Sequence, residues 1–251
     1  MRKLSIKSVS IVKKKPYPEI GEIEKNFQVS DDGEICIAVG GDGTFLRAAR
    51  KFDSPVLHIR SEEKDSLGFH AEVTLLSIKE VVEDLKQGNY WIEKYPKLRL
   101  TYRGETHHAV NDVILFRANA KSIHFEVNYY DGEGNKLPLY PDTVWGDGVI
   151  FARQIGTTAY NYLTRGPILF DLDAAVVTPL SANHACSIVS NKDFHVNIVK
   201  GMGFLECDGI NIAKLYRRES FTVTKSDRVL KMVRLKRGER FSDKLARLKA
   251  F

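Results

Sequence analysis

The chain has 251 residues, of which 43% are hydrophobic, and it carries a formal net charge of +6. This length accommodates one large domain or two small ones, each with an ordinary hydrophobic core. No apolar run approaches the roughly 20 residues that cross a bilayer, and charges stand where a signal peptide needs its apolar segment, so we expect a cytoplasmic protein that does not bind membranes.

The first third of the sequence alternates between strand and helix patterns. Residues 4–12, 35–39 and 55–59 read as strands, and residues 44–51 read as a helix. Such alternation predicts a parallel sheet. Residues 77–87 form a second predicted helix, with a capping-box spacing at its start and Gly88 at its end.

Beyond about residue 95 the pattern changes to period-two alternation, which predicts a β-rich second domain. Residues 131–135 have the composition of a hairpin turn. The predicted strands cover residues 98–102, 110–116, 123–129, 149–152, 174–177, 194–199, 204–207 and 221–223.

Much of the positive charge lies between residues 231 and 249. Apolar side chains are interleaved with these charges as in a strand followed by a packed helix, so we do not expect a nucleic-acid-binding arm. Cys36, Cys186 and Cys207 lack metal-type spacing and are expected to be reduced and structural.

Residues 40–44, Gly-Gly-Asp-Gly-Thr, lie between a predicted strand and a predicted helix. The glycines permit positive φ angles and a close approach to a ligand, and the helix start offers N–H donors to an anion. A carboxylate beside phosphates is repulsive unless a metal ion screens it or it accepts a proton. Asp42 therefore indicates phosphoryl transfer, although the same residue types also form ordinary β-turns.

A second glycine-punctuated segment covers residues 146–160. Gly156, Thr157 and Thr158 gather backbone donors and two hydroxyl groups, and the ring of Tyr160 is suited to stack on a base. This composition favours nucleotide binding. A plain turn at residues 147–148 and a core role for Tyr160 are the alternatives.

The Gly40–Thr44 loop, the Asn111-Asp112 pair and the Gly156–Tyr160 run occur in the order found in the NAD kinase family, which the chain resembles from Ile35 to Leu215. The resemblance implies that Asp42 is the base that deprotonates the 2′-hydroxyl of the adenosine ribose. It also implies that a further set of residues contacts NAD or the donor nucleotide. This set is Gly41, Gly43, Thr44, Phe45, Arg47, Asn111, Asp112, Arg117, Asp147, Gly156, Thr157, Thr158, Ala159 and Tyr160.

Several positions depart from the family pattern. Asp112 stands for Glu, Thr157 for Ser and Arg60 for Asn, and Ile210 replaces a Gln that tends to follow the late Asp-Gly. A charged insert also covers residues 61–65. The Asp112 replacement shortens the reach of the carboxylate by one methylene group.

For the fold, the resemblance implies a mixed α/β and β-rich protein. A small Rossmann-like α/β domain (residues 1–94, with the tail 231–251 returning to it) would pack on a larger all-β, sandwich-like, NAD-binding domain (residues 95–230). The short connection between them predicts a shared cleft.

For the function, the resemblance implies an NAD kinase that transfers a phosphoryl group from ATP or polyphosphate, with Mg²⁺, to NAD and yields NADP. It further implies a homodimer or homotetramer. No protein ligand to a metal is assigned. A lipid or sugar kinase that shares the Gly40–Thr44 loop and a non-catalytic NAD-binding sensor remain alternatives.

Overall fold

The computed structural model describes residues 5–61 and 67–249. Two compact units divide the chain: a terminal unit formed by Met1–Tyr95 with Leu230–Phe251, and a central unit formed by Pro96–Val229. Leu4, which begins the first predicted strand, and residues 62–65 of the charged insert lie outside the described residues.

The strands are β1 Ser8–Lys13, β2 Gln28–Val29, β3 Ile35–Val39, β4 Val56–Arg60, β5 Val73–Thr74, β6 Tyr90–Tyr102, β7 Glu105–Ala109, β8 Asp112–Arg117, β9 Ile123–Tyr130, β10 Lys136–Pro138, β11 Val144–Gly146, β12 Gly148–Arg153, β13 Ala175–Leu180, β14 Ile188–Ser190, β15 Phe194–Lys200, β16 Met202–Cys207, β17 Ile210–Tyr216 and β18 Ser220–Leu235. The helices are α1 Gly21–Asn26, α2 Asp42–Lys51, α3 Ile78–Gln87, α4 Tyr160–Leu163 and α5 Phe241–Lys249. Short 3-10 turns cover Pro18–Ile20, Leu75–Ser77 and Gly156–Thr158.

A parallel sheet forms the centre of the terminal unit. β1 pairs with β2 and β3, β3 pairs with β4, and β4 pairs with β5 and with the end of β18, all in parallel. The strands β3 and β4 are almost entirely buried, as expected where a parallel sheet is covered on both faces. The parallel sheet expected from the alternating pattern is confirmed.

Helix α3 ends as predicted but begins differently. Gly88 adopts the left-handed conformation (φ 67°, ψ 28°), and its N–H donates to the carbonyls of Asp84 and Leu85. The predicted capping box at residue 77 was wrong. Ser77 belongs to the preceding 3-10 turn and makes no side-chain capping bond, because its backbone (φ −93°, ψ 18°) is not in the extended conformation from which an N-cap side chain accepts the N–H groups of the first turn.

The central unit is a sandwich of antiparallel sheets. One sheet has the order β14-β13-β12-β8-β16-β17. The opposite layer pairs β10 and β11 with β9, β9 with β15, and β15 with the first half of β18. Phe151 on the first sheet packs against Phe194 and Phe221 on the other, with ring centroids 5.5 and 6.4 Å away. The β-rich second part of the predicted fold is thereby confirmed.

Some local predictions need adjustment in the central unit. The strand predicted from residue 110 begins at Asp112, because the backbone N–H groups of Val110 and Asn111 donate to the Asp208 side chain. The turn at residues 131–135 forms as predicted, with Asp131 Oδ1 accepting from the N–H groups of Glu133 and Asn135. No helix within the described residues is long and apolar enough to span a membrane.

Candidate active site

The loop that follows β3 places Asp42 at the first position of α2, two residues earlier than predicted. Gly41 is the N-cap and is extended (φ −86°, ψ −174°), whereas Gly43 lies within the helix. Of the three glycines, only Gly40 has a positive φ, of 147°. A Cβ there would lie 2.6 Å from Thr44 Oγ1. The expectation of positive φ angles at residues 41 and 43 was therefore wrong, because the helix begins between them.

Two backbone N–H groups from a distant segment hold the Asp42 carboxylate. Phe69 N–H donates to Oδ2 over 3.0 Å, and His70 N–H donates to Oδ1 over 3.2 Å. A carboxylate offers about four lone-pair directions, so each oxygen retains the capacity to accept another hydrogen bond. The carboxylate is thus oriented by the protein and still able to accept a proton.

Three aromatic rings pack beside this carboxylate in a ring stack. The Phe45 ring is stacked on the His58 ring and tilted by 35° against the His70 ring, at centroid distances of 5.2 and 5.3 Å. All three side chains are buried. His58 Nε2 lies 3.0 Å from the Gly40 carbonyl oxygen. A carbonyl only accepts, so Nε2 donates, and the ring supports the turn that precedes Asp42.

Burial and mutual proximity set the protonation of these groups. Burial lowers the pKa of His70 to about 4, against the opposing effect of Asp42. Burial also lowers the pKa of His58. For Asp42, burial favours the neutral form, but His70, His58 and the two N–H donors outweigh it and the pKa lies below its ordinary value. At neutral pH the site holds one carboxylate and two neutral imidazoles.

A cavity of about 440 Å³ opens beside Asp42. It is lined by Lys14, Gly41, Asp42, Gly43, Thr44, Arg47 and Leu67. The cations of Lys14 and Arg47 and the start of a helix make this cavity suited to a polyanion. Arg47 also donates from Nη2 to the Lys13 carbonyl over 3.1 Å.

The residues at this cavity are compatible with a magnesium ion that binds together with a nucleotide. Among the residues that the structure describes, no group of three or more His, Cys, Asp or Glu side chains could hold a metal ion. Mg²⁺ usually keeps several waters and binds through one or two carboxylates plus substrate phosphates. Asp42 lines this cavity, and the phosphates of a nucleotide would supply most of the oxygens around the metal ion.

In the central unit, Asp208 organises the predicted Asn111-Asp112 pair. Its Oδ2 accepts from Val110 N–H over 2.8 Å, and its Oδ1 accepts from Asn111 N–H over 2.7 Å and from Asp112 N–H over 3.3 Å. Asp208 has a positive φ of 50° and is buried. In the sequence, residues 208–209 stand out only as the Asp-Gly that precedes Ile210. The Asp-Gly pair after a strand pattern was the signal that could have identified this turn.

The side chains of Asn111 and Asp112, whose backbone N–H groups donate to Asp208, have unusual surroundings. Asn111 Oδ1 is buried and has no hydrogen-bond partner within the described structure. Burial, followed by the charges of Asp208 and Glu206, raises the pKa of the Asp112 carboxyl to about 7. An orphaned acceptor is costly when buried, so a ligand hydroxyl or amide that satisfies Asn111 would bind favourably.

Gly156 brings the second and third motifs together. A Cβ at this position would lie 1.7 Å from the Asn111 carbonyl oxygen. The backbone of the 156–158 turn therefore approaches residue 111 more closely than any side chain would permit. Glycine is required at position 156 because a side chain would clash with the backbone of Asn111, and not because of its own backbone angles.

The two threonines of this motif direct their hydroxyl hydrogens inward. Thr157 Oγ1 donates to the Gln154 carbonyl over 2.8 Å and accepts from Leu169 N–H over 3.1 Å. Thr158 Oγ1 donates to the Ile155 carbonyl over 3.1 Å. In this conformation both hydroxyls shape the turn.

The remaining members of the motif differ in exposure. Tyr160 is exposed and Ala159 is half-buried. Asn161 is completely buried, and its Oδ1 accepts from Thr178 Oγ1 over 2.6 Å. Its Nδ2 donates to the Thr157 and Pro167 carbonyls, so the amide is satisfied within the protein.

Arg117 and Asp147, both predicted to contact a ligand, pair with each other. Arg117 Nε lies 2.5 Å from Asp147 Oδ1, and Arg117 N–H donates to the Asp147 carbonyl over 2.8 Å. Both side chains are half-buried. A ligand that uses either charge would compete with this ion pair.

Comparison with known proteins decides the family. No family model matches the chain. The chain is 32% identical over 219 residues to an NAD kinase of Natranaerobius thermophilus, covering 81% of this chain and 73% of that protein. The chain belongs to the NAD kinase family. An NAD kinase of Clostridium botulinum (strain Loch Maree, type A3) is 30% identical over 228 residues, covering 83% of this chain and 75% of its own.

Two solved structures show the same fold as this NAD kinase family member. A crystal structure of an NAD kinase from Archaeoglobus fulgidus in complex with ATP has a TM-score of 0.78 at 19% identity, covering 97% of this chain and 99% of its own. A crystal structure of yeast NADH kinase complexed with NADH has a TM-score of 0.79 at 16% identity, and the match covers 98% of this chain and 87% of the yeast chain. These comparisons do not favour the alternative of a lipid or sugar kinase.

Proposed function

We propose that this enzyme transfers the γ-phosphoryl group of ATP to the 2′-hydroxyl of the adenosine ribose of NAD, which yields NADP and ADP. The observation that carries the proposal is the Asp42 carboxylate, fixed by two backbone N–H groups at the edge of a cationic cavity. Membership of the NAD kinase family supplies the reaction.

Asp42 would act as the general base. The ribose oxygen forms a bond to the γ-phosphorus while the bond from that phosphorus to the ADP oxygen breaks, and the hydroxyl proton passes to Asp42. Because its pKa lies below the ordinary value, Asp42 is ionised at neutral pH and ready to accept it. A general base of this kind contributes about 10²- to 10⁴-fold.

Charge stabilisation would fall to the residues around the cavity. Lys14 and Arg47 line the cavity and are placed to bind phosphate oxygens, and the start of α2 at Asp42 and Gly43 presents backbone N–H groups to them. Mg²⁺ bound to the donor would neutralise part of the charge that the transferred group carries. Positioning and charge neutralisation account for most of the acceleration in such reactions.

For the acceptor, we infer that Asn111 and Asp112 bind NAD through the orphaned amide oxygen and the buried carboxyl. The exposed ring of Tyr160 is available for stacking. A role in the cytoplasm and assembly into a homodimer or homotetramer are further inferences. Exposed apolar side chains at Leu163, Phe170 and Leu172 support the assembly, and light scattering of the purified protein tests it.

The decisive experiment incubates purified protein with NAD, ATP and Mg²⁺ and measures NADP with an NADP-specific dehydrogenase. Parallel reactions replace ATP by inorganic polyphosphate and NAD by NADH. We expect NADP and ADP in equal amounts with ATP. Binding of NAD with no NADP from either donor would instead establish the sensor alternative.

A further inference from the structure

The segment that orients Asp42 is not part of a helix or strand. Phe69 and His70, whose N–H groups bind the carboxylate, lie in a turn that begins at Gly68. Gly68 has a positive φ of 54°, and Ala71 N–H closes the turn onto the Gly68 carbonyl over 3.0 Å. A turn of this kind keeps its N–H groups aligned only if neighbouring elements hold it.

Helix α5 makes two contacts with this turn. Arg247 Nη2 donates to the Gly68 carbonyl over 3.2 Å. The Phe241 ring packs edge-on against the Phe69 ring, with centroids 6.1 Å apart and an interplanar angle of 88°. Helix α5 therefore contacts Gly68, which begins the turn, and Phe69, whose N–H donates to Asp42.

The Arg247 guanidinium is itself fixed on its other side. Its Nη1 pairs with Glu239 Oε2, and Glu239 N–H donates to the Glu72 carbonyl over 2.9 Å. Glu72 N–H in turn donates to the His58 carbonyl over 2.8 Å. Arg247 thus joins the turn to a segment that is bonded to β4, beside the ring stack of the active site.

A second basic residue of α5, Lys244, interacts electrostatically with Glu72. Lys244 is buried, and burial lowers its pKa although the charge of Glu72 favours its protonated form. Glu72 is buried too and accepts from Arg234 Nη1 over 3.1 Å. A Cβ on Gly238, just before α5, would lie 2.1 Å from Glu72 Oε1, so the chain enters the helix in close contact with this carboxylate.

We propose that Arg247, on helix α5, is a positioning residue for the phosphoryl-transfer reaction: it fixes the 68–70 turn and through it the orientation of the Asp42 carboxylate. The proposal rests on the proposed function, because Asp42 must be the base for its orientation to affect turnover. Arg247 does not line the cavity, and its hydrogen bond to the Gly68 carbonyl is the contact through which it acts on the turn. A displacement of about 1 Å at a catalytic group can cost about 100-fold in rate.

The test compares three variants. Arg247→Ala removes both hydrogen bonds. Arg247→Lys retains the charge but cannot span Gly68 and Glu239 with two separate N–H groups. Arg240→Ala removes an exposed arginine from the same C-terminal segment and is the matched control. Each variant is assayed for kcat, for KM and for NAD binding by calorimetry, and its thermal unfolding confirms that it is folded at the assay temperature.

We expect Arg247→Ala to lower kcat by about 10- to 100-fold while the Kd for NAD changes less than about twofold. Arg247→Lys should fall between this variant and the wild type. Loss of NAD affinity in proportion to kcat, or an unchanged kcat in a folded Arg247→Ala protein, would overturn the proposal.

Amide hydrogen exchange of a peptide covering residues 67–71 separates this proposal from the proposed function. Arg247→Ala should raise its exchange rate about tenfold or more, whereas Arg240→Ala should leave it unchanged. If the wild type makes no NADP, the proposed function fails and the exchange result still decides whether Arg247 holds the turn. Unchanged exchange in Arg247→Ala would refute the positioning role whatever the activity.

Discussion

Asp208 Oδ1 lies 2.7 Å from the backbone nitrogen of Asn111, 97 residues earlier in the chain. The same carboxylate accepts two further N–H bonds, from Val110 and Asp112. One buried side chain therefore sets the backbone of the pair proposed to bind NAD.

Asp208→Asn should weaken this arrangement without removing the backbone preference for a positive φ, since Asn tolerates that conformation. The new NH₂ group would face at least one N–H donor. We expect the free energy of unfolding to fall by about 1–3 kcal/mol and NAD affinity to fall about tenfold. Chemical denaturation and calorimetry measure these changes. The control is Asp171→Asn, at an exposed position that also has a positive φ, of 52°; equal effects of the two variants would contradict the assigned role.

Asp42→Asn tests the general base. The amide retains one acceptor oxygen but cannot take a proton, so kcat should fall at least 100-fold while NAD binding is retained. Coupled assay of NADP and calorimetry with NAD measure the two quantities. Asp53→Asn, at an exposed position of the same unit, serves as the control. A kcat within tenfold of the wild type would exclude Asp42 as the base, and an altered Mg²⁺ dependence would indicate a metal-organising role.

The raised pKa of Asp112 predicts a pH dependence of stability. Burial, Asp208 and Glu206 raise this pKa to about 7 in the folded protein, above its value in the unfolded chain. The folded state therefore binds the extra proton, and this group lowers stability as pH rises from about 4 to about 7, with no further change above.

Asp112→Asn should remove that loss. The free energy of unfolding of the variant minus that of the wild type should therefore increase from about pH 4 to about pH 7, by up to about 4 kcal/mol. Urea denaturation at pH 4, 5.5, 7 and 8 measures it. Asp142→Asn, at an exposed position, is the control for replacing an aspartate by asparagine. A flat difference for Asp112→Asn would show that its carboxyl titrates normally.

Gly156→Ala should separate the second and third motifs. Its Cβ would meet the Asn111 carbonyl at 1.7 Å, so the backbone must shift. We expect the free energy of unfolding to fall by about 1–3 kcal/mol and NAD binding to weaken. Gly132→Ala, where a Cβ meets nothing within 4 Å, is the control and should change neither. Thermal denaturation measures the stability, and calorimetry measures the NAD affinity. A Gly156→Ala protein that matches the Gly132→Ala control in both would show that the turn relaxes without cost.

The sequence predicted the elements that depend on local patterns. The run Ile35–Val39 before a glycine-rich loop indicated a buried strand of a parallel sheet, and Gly88 indicated a helix end. Period-two alternation beyond residue 95 indicated the β-rich second part of the chain. These features arise from neighbouring residues in the chain, so the sequence alone carried them. The order of the motifs likewise sufficed to recognise the family.

Other features were decided by the tertiary structure. The two donors to Asp42 come from residues 69 and 70, the ring stack joins Phe45 to His58 and His70, and Asp208 reaches residues 110–112. Each of these contacts depends on which distant segments the sheets bring together. Burial, which sets the pKa values of His70 and Asp112, arises only when those segments pack. The sequence indicated the residues that we propose carry the chemistry, and the folded structure decided their partners and their protonation.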